Sequence, residues 1–252
     1  MSIPVESVIL LFLVFMRVGG LLLFFPMIAD RLVPVPVRVA FAMTLTFVAH
    51  GFAQVDLPSG LDILSLGVGA AGELFIGMLM GFSMRMIFYA VELAGQVITT
   101  EMGLLASTAI NPVTNTSWPA VGNLLFALST LLFFLTGSHH KVIYVFVHTF
   151  QWLPVGGGEI HAAMLDNVIR QTGKIFLVAA QMAAPFIAVN FVVTFSFSVL
   201  GRAVPGMPVF IESFTVRIMS GLALLGLVMV LLAQHLLSYI SQIPDTLLGL
   251  FQ

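Results

Sequence analysis

Two stretches of 27 residues, 175–201 and 218–244, contain no Asp, Glu, Lys or Arg. A helix of about 20 apolar residues crosses the roughly 30 Å hydrocarbon core of a bilayer, and it satisfies its backbone hydrogen bonds within one segment. Runs of this length suit lipid or a helix-lined assembly. They point to an all-α, polytopic membrane protein. The remaining sequence agrees: of 252 residues, 60% are hydrophobic and 8% charged, against about a quarter charged in a soluble domain. The length fits one helical membrane unit, residues 1–252, without a large soluble domain.

The formal charge of −2 gives no basic footprint for nucleic acid. The absence of cysteine excludes disulfides and thiol chemistry. Residues 1–7 carry Glu6 and no Lys or Arg, and the apolar run 8–28 contains Arg17. A secretory signal begins positive and has a shorter core, so this run reads as a retained first helix.

Apolar segments fall at 8–28, 39–55, 63–84, 120–137, 142–153, 174–200 and 214–241. Pro26, Pro34 and Pro36 separate the first two, and Pro58-Ser59-Gly60 the next. Asn111-Pro112 through Trp118-Pro119 is a turn-rich loop. Pro154 with Gly156-Gly157-Gly158, then Gly201, Pro205 and Pro208, mark later breaks, and Pro244 ends the last helix ahead of a short apolar tail. Short connections favour antiparallel hairpins. Segment 142–153 is too short to cross a bilayer alone. Loops 29–38, 154–174 and 201–217 hold two Lys/Arg each and 56–62 holds none. This bias places 29–38 in the cytoplasm and leaves the rest of the topology undetermined.

The polar groups of such a chain carry its function. Arg85, Tyr89, Glu92, Gln96 and Thr99 recur at spacings of four, three, four and three, which puts them on one helix face. A charge in hydrocarbon costs about 2.5 kcal/mol or more, so the stripe either meets partners or lies at the membrane surface. Arg85 and Glu92 are about 10 Å apart along a helix, too far to pair directly, which directs them to other helices or subunits. Gly77 and Gly81 form a GxxxG pair preceded by Gly67, Gly69 and Gly72; such residues let helices approach closely. Glu73, in the same helix, is either a proton-relay carboxylate or a structural group paired across helices, and Arg17 poses the same question. Met78, Met80, Met84 and Met86 are either core filler or a deformable seal around a passing polypeptide. His139, His140 and His148 lack any accompanying metal-ligand motif. No catalytic constellation, cofactor motif or metal site emerges, and the chain reads as a non-enzyme.

Three stretches together resemble the FliR/SctT family of type III secretion export gates. The first runs from Gly72-Glu73 through Gly81-Phe82 to Glu92-Leu93-Ala94-Gly95-Gln96 and Met102-Gly103-Leu104. The second holds Leu132-Phe133-Phe134-Leu135, the turn from Gly137 to His140, Phe150 and Leu153-Pro154-Val155-Gly156. The third is Leu200-Gly201-Arg202-Ala203-Val204-Pro205-Gly206-Met207. The likeness spans nearly the whole chain. It departs from the family pattern at Gly206, where Gln is usual, and across Glu212-Ser213-Phe214-Thr215-Val216-Arg217.

The resemblance implies a fold of kinked helix hairpins, about six or seven apolar segments, in a single-copy subunit that assembles with FliP-type and FliQ-type gate subunits and is wrapped by an FlhB-type switch protein. The assembled core would sit largely above the bilayer plane of the bacterial inner membrane, in a flagellar basal body. It would form the channel through which unfolded polypeptides leave the cytoplasm. Residues 104–118 match the family's plug region, with Leu104, Ile110, Asn111, Pro112 and Trp118 as plug residues. Helix-packing or subunit-interface roles fall to Glu73, Gly77, Gly81, Arg85, Glu92, Gln96, Arg202 and Pro205. The alternatives are an injectisome gate subunit, or a secondary transporter with Glu73, Arg85 and Glu92 as ion sites. The transporter would require matched broken-helix repeats, and none is visible in the sequence.

Overall fold

The computed structural model describes residues 5–26, 28, 33–53, 63–104, 119–156, 162–204, 206 and 208–251. These residues form eight helices: α1 (Val5–Leu22), α2 (Val35–His50), α3 (Ile63–Glu101), α4 (Ala120–Leu135), α5 (Ser138–Trp152), α6 (Ala162–Ala203), α7 (Val209–Ser241) and α8 (Ile243–Leu248). No strand occurs among the described residues. The chain is the all-helical membrane type that its apolar runs predict. Of the sequence-predicted site residues, Ile110, Asn111, Pro112, Trp118 and Pro205 lie outside the described residues.

The helices outrun the apolar segments. Apolar residues 63–84 and the polar stripe 85–101 form one 39-residue helix, α3, and α6 has 42 residues. At about 1.5 Å per residue each is roughly 60 Å long, twice what a hydrocarbon core needs. Among the described residues, three helices are long and apolar enough to cross a membrane, and a fourth crossing exists if the sharply bent pair α4 and α5 counts as one. Much of the two stretches counted as loops, residues 162–174, 201–203 and 209–217, is therefore helical. Arg170 and Lys174 lie within α6, Arg202 in its last turn, and Arg217 within α7. A Lys/Arg count that treats these four as loop charges counts helix residues instead, so the charge bias does not orient the C-terminal half.

Punctuation residues act at helix ends. Gly137 adopts φ +67° between α4 and α5, a left-handed conformation that glycine takes without a Cβ clash. The 142–153 segment gains its first turn, Ser138–Lys141, on the far side of this glycine. Pro36 sits in the first turn of α2 and Pro244 in the first turn of α8, where proline's missing N–H is no loss. The last long helix ends at Ser241, just before Pro244, and the short apolar tail expected after it forms a helix of its own, α8, with Pro244 in its first turn. Pro185 lies inside α6; it leaves the carbonyl four residues earlier without its helical donor.

Chain contacts define two compact units. One comprises Met1–Ile87, Phe133–Thr172 and Ile240–Gln252; the other comprises Phe88–Leu132 and Gly173–Tyr239. In the first, α1 buries Leu10, Leu13, Val14, Arg17, Val18 and Leu21, the three-and-four spacing of one helical face. α5 buries Val142, Val145, Phe146, Thr149 and Phe150 with the same period. α2 packs along α1 through Ala42, Leu45, Thr46 and Ala49. Met80, Met84 and Met86 are core residues of this unit. In the second unit, α6 buries Val178, Met182, Ala183 and Phe186, and α7 buries Leu225, Leu232 and Leu236. Phe88 meets Phe126 edge to face with ring centroids 6.0 Å apart.

Candidate functional site

The first unit is built around a charge pair. Arg17 stands on the buried face of α1, one step in the series from Val14 to Val18, so its side chain must enter the core. Glu73 lies on the buried face of α3 with Ile76, Met80 and Met84. Arg17 Nε donates to Glu73 Oε2 at 2.5 Å, with 0% and 2% of the two side chains exposed. Arg17 Nη1 donates to Thr149 Oγ1 at 3.3 Å, and Nη2 to the Leu153 carbonyl at 3.1 Å. The Phe150 ring lies 4.3 Å from the guanidinium carbon. The second carboxylate oxygen, Oε1, accepts the Gly156 N–H at 3.0 Å. Burying two charges is costly unless geometry and extra hydrogen bonds compensate; here both ions have them. The pair ties α1, α3, α5 and the turn after α5 to one point.

Glycines make that meeting possible. A Cβ on Gly77 would lie 2.0 Å from the Arg17 carbonyl oxygen. One on Gly20 would lie 2.4 Å from the Leu74 oxygen, and one on Gly81 2.6 Å from the Leu21 oxygen. The backbones of α1 and α3 touch here, as small residues permit. The GxxxG pair therefore packs within the chain. Gly67 and Gly72 of the same cluster have nothing within 4 Å of a notional Cβ.

The second unit has its own close crossing and its own polar cluster. A Cβ on Gly95 would lie 2.2 Å from Gly122 Cα, so α3 and α4 also meet backbone to backbone. Where α3 ends, Asn190 Nδ2 donates to Glu101 Oε2. The Thr194 hydroxyl donates to the Asn190 carbonyl at 2.7 Å, and Arg217 Nη2 donates to the Thr194 oxygen at 3.0 Å.

The predicted stripe is not uniform. Thr99 is buried and donates to the Gly95 carbonyl at 2.6 Å. Arg85, Tyr89 and Glu92 are half-buried, and Gln96 is exposed. Leu104 is half-buried just past the end of α3, and Arg202 is exposed in the last turn of α6, where a cation complements the helix dipole. The His139 and His140 rings lie against each other at a tilt of 38°, with centroids 3.9 Å apart. Among the described residues no group of three or more His, Asp or Glu could hold a metal. Asn190, Gly20 and Gly122 are structural positions that the sequence reading does not single out, and Gly95 enters it only within the Glu92–Gln96 family stretch. Asn190 carried a signal: it is one of two amides, with Gln181, inside an uncharged run, a group that seeks a partner on another helix.

Comparison with known proteins bears directly on this architecture. The family model for bacterial export proteins, family 1, matches residues 8–243. The chain is 29% identical to the flagellar biosynthetic protein FliR of Escherichia coli K12 over 229 residues, 89% of this chain and 87% of that protein. It is 27% identical to FliR of Bacillus subtilis 168, covering 82% and 80% of the two chains. It is 24% identical to the Yop proteins translocation protein T of Yersinia pestis, covering 72% and 69%. A match over residues 8–243 takes in both compact units and all three membrane-length helices, and the chain accordingly belongs to the bacterial export proteins, family 1, the FliR/SctT family.

Proposed function

We propose that this protein is a non-catalytic, channel-forming subunit of the flagellar type III export gate in the bacterial inner membrane, helping unfolded flagellar proteins leave the cytoplasm. The observation that carries the reading is the match of residues 8–243 to the export family. The flagellar assignment over the injectisome one rests on extent: the FliR relative is matched at 29% over 89% of the chain, the Yersinia relative at 24% over 72%.

The helices support a life in an assembly. In the apolar windows of α3, α6 and α7 only 22%, 28% and 17% of residues are buried by the chain itself. Phe176, Phe191, Phe195, Leu227 and Val230 are among the exposed side chains. Such surface needs lipid or partner helices to cover it. FliP-type and FliQ-type subunits and an FlhB-type switch protein are the partners of this reading, and Leu104 with residues 105–118 is its plug. The transporter alternative loses ground at Glu73, because both carboxylate oxygens already accept hydrogen bonds from the protein.

The test is deletion of the gene in its host with plasmid complementation, measuring flagellin in the medium. Loss of secreted flagellin with normal intracellular flagellin, restored by the plasmid, is the expected result. Normal flagellin secretion with loss of virulence-protein secretion would replace the flagellar assignment by the injectisome one. Normal secretion of both would overturn the gate reading.

A further inference from the structure

The outward side chains change in kind at Gly137. Before it, α4 exposes Leu124, Leu131 and Leu135. After it, the outer face of α5 carries His140, Lys141, Tyr144, His148, Gln151 and Trp152, all exposed or half-buried and all within about 120° of helical arc. Five of the eleven His, Tyr and Trp residues of the chain fall in the 15 positions of α5, so rings with a polar tip are concentrated here. His140, Tyr144, His148 and Trp152 follow one another at four-residue steps and form a ridge. Tyr144 meets His148 edge to face with ring centroids 4.2 Å apart, and His148 stacks on Trp152 at 6.4 Å. His148 Nδ1 lies 3.0 Å from Gln151 Oε1. Tyr144 is 66% exposed and Trp152 47%. Lys141 is the only formal charge on α5, which holds no acid.

The opposite face of α5 is already used: Val142, Val145, Phe146, Thr149 and Phe150 are buried in the first unit. The outer ridge must therefore be matched by what lies outside the chain. Water leaves the ring bodies uncovered. Hydrocarbon leaves the ring tips and Lys141 without partners. A partner helix has to draw Lys141 out of water against a face that offers it no acid. The boundary between hydrocarbon and water suits body and tip together: Trp and Tyr gather there, and a lysine extends its stem over apolar surface to reach lipid phosphate. Length gives the orientation. α5 is about 22 Å long and its ridge about 18 Å, whereas the headgroup layer on each side of a bilayer is roughly 5–8 Å thick. All four rings share that layer only if α5 lies along the surface.

We propose that the outer ridge of α5 is a membrane-interface anchor. The helix lies along the bilayer surface, Tyr144 and Trp152 sit at headgroup depth, and Lys141 meets phospholipid phosphate. The anchor fixes the depth of the first compact unit, whose core α5 also builds. The inference rests on the membrane setting of the fold and on neither the plug nor the flagellar assignment.

The absence of cysteine makes the test direct. Lys141→Cys, Tyr144→Cys, His148→Cys and Gln151→Cys each take a nitroxide spin label, one at a time. The full chain is held with its co-purifying partners in nanodiscs of bacterial phospholipid, and the unaltered chain sets the background. Collisions with oxygen, which concentrates in hydrocarbon, and with a water-soluble nickel chelate give the depth of each label. The four depths are expected to agree within one helical turn, about 5 Å, at headgroup level, with both reagents reaching every label. Depths that step through about 15 Å from position 141 to 151 would mean an upright helix and overturn the proposal. Full nickel access with little oxygen would place the ridge in water, and little access to either would place it under a partner subunit; both outcomes also overturn it. Should a label disturb assembly, photoreactive p-benzoylphenylalanine at position 144 keeps an aromatic ring there. A phospholipid adduct is then the expected product, and an adduct to another protein, or none, overturns the anchor.

Discussion

Arg17 and Glu73, 56 positions apart in the chain, meet at 2.5 Å in the interior of the first compact unit. Arg17 also reaches Thr149 and Leu153, and Glu73 also accepts from Gly156. One ion pair thus sets the register of two helices and fastens both to a third region more than 130 residues from the start of α1.

Removing one member of this pair should cost more than removing both. Arg17→Met alone leaves a buried carboxylate without its cation, a change that costs about 3–5 kcal/mol. The double variant R17M/E73L replaces both charges with apolar groups and should recover more than half of that loss. Thermal unfolding of the purified gate, compared across single and double variants, measures the difference. Equal losses in the single and double variants would mean that the pair contributes little as a pair.

The glycines of α3 should separate into two classes. Gly77→Ala drives a Cβ into the Arg17 carbonyl, a backbone atom that cannot rotate away. It should cost about 1–3 kcal/mol as an overpacked contact and should disturb the Arg17–Glu73 pair as well. Gly72→Ala meets nothing within 4 Å and should be neutral or stabilising by about 0.5–1 kcal/mol through helix propensity. Expression level and melting temperature of each variant in the assembled gate decide the matter. A tolerated Gly77→Ala would show that α1 and α3 can part at this crossing.

Deleting residues 106–117 should leave the membrane permeable to small ions while export of flagellin continues. Conductance of membranes containing the assembled gate measures the first, and flagellin in the medium measures the second. Unchanged conductance would remove the plug assignment from this segment.

Glu92→Ala should weaken assembly rather than abolish a chemical step. Glu92 is half-buried on α3, and in this reading the part of it that the chain leaves open faces a partner subunit. Co-purification of the partner subunits should fall severalfold, with export falling in proportion. Full assembly with blocked export would assign Glu92 a direct part in transport instead.

The glycine crossings illustrate how far local pattern reaches. Gly77 and Gly81 stand out in the sequence because GxxxG is a spacing. Gly20 and Gly95 belong to no such spacing, and their partners, Leu74 and Gly122, lie on other helices. Close approach of two backbones is a property of a pair of helices, and no single helix records it. The same holds for Glu101, which falls off the periodic stripe of Arg85, Tyr89, Glu92, Gln96 and Thr99 and acquires its meaning from Asn190.

What the sequence determined by itself was class and periodicity. Two 27-residue runs without charge demand helices in an apolar setting, because only a helix satisfies its own backbone there. Which face of α1 turns inward was not legible, because Val8, Leu11 and Phe12 are as apolar as the buried Leu10, Leu13, Val14, Val18 and Leu21 that Arg17 joins. The tertiary structure decided which charge answers which. Arg17 could have turned to any carboxylate in the chain, and Arg85 and Glu92 were as plausible a pair of ionic anchors as Glu73. The choice fell to Glu73 because the glycine crossing brings α1 within backbone contact of α3 at that level. Helix length was likewise a tertiary outcome: α3 and α6 continue through charged residues where hydropathy alone would end them, because helical backbone bonds persist wherever neighbouring packing supports them.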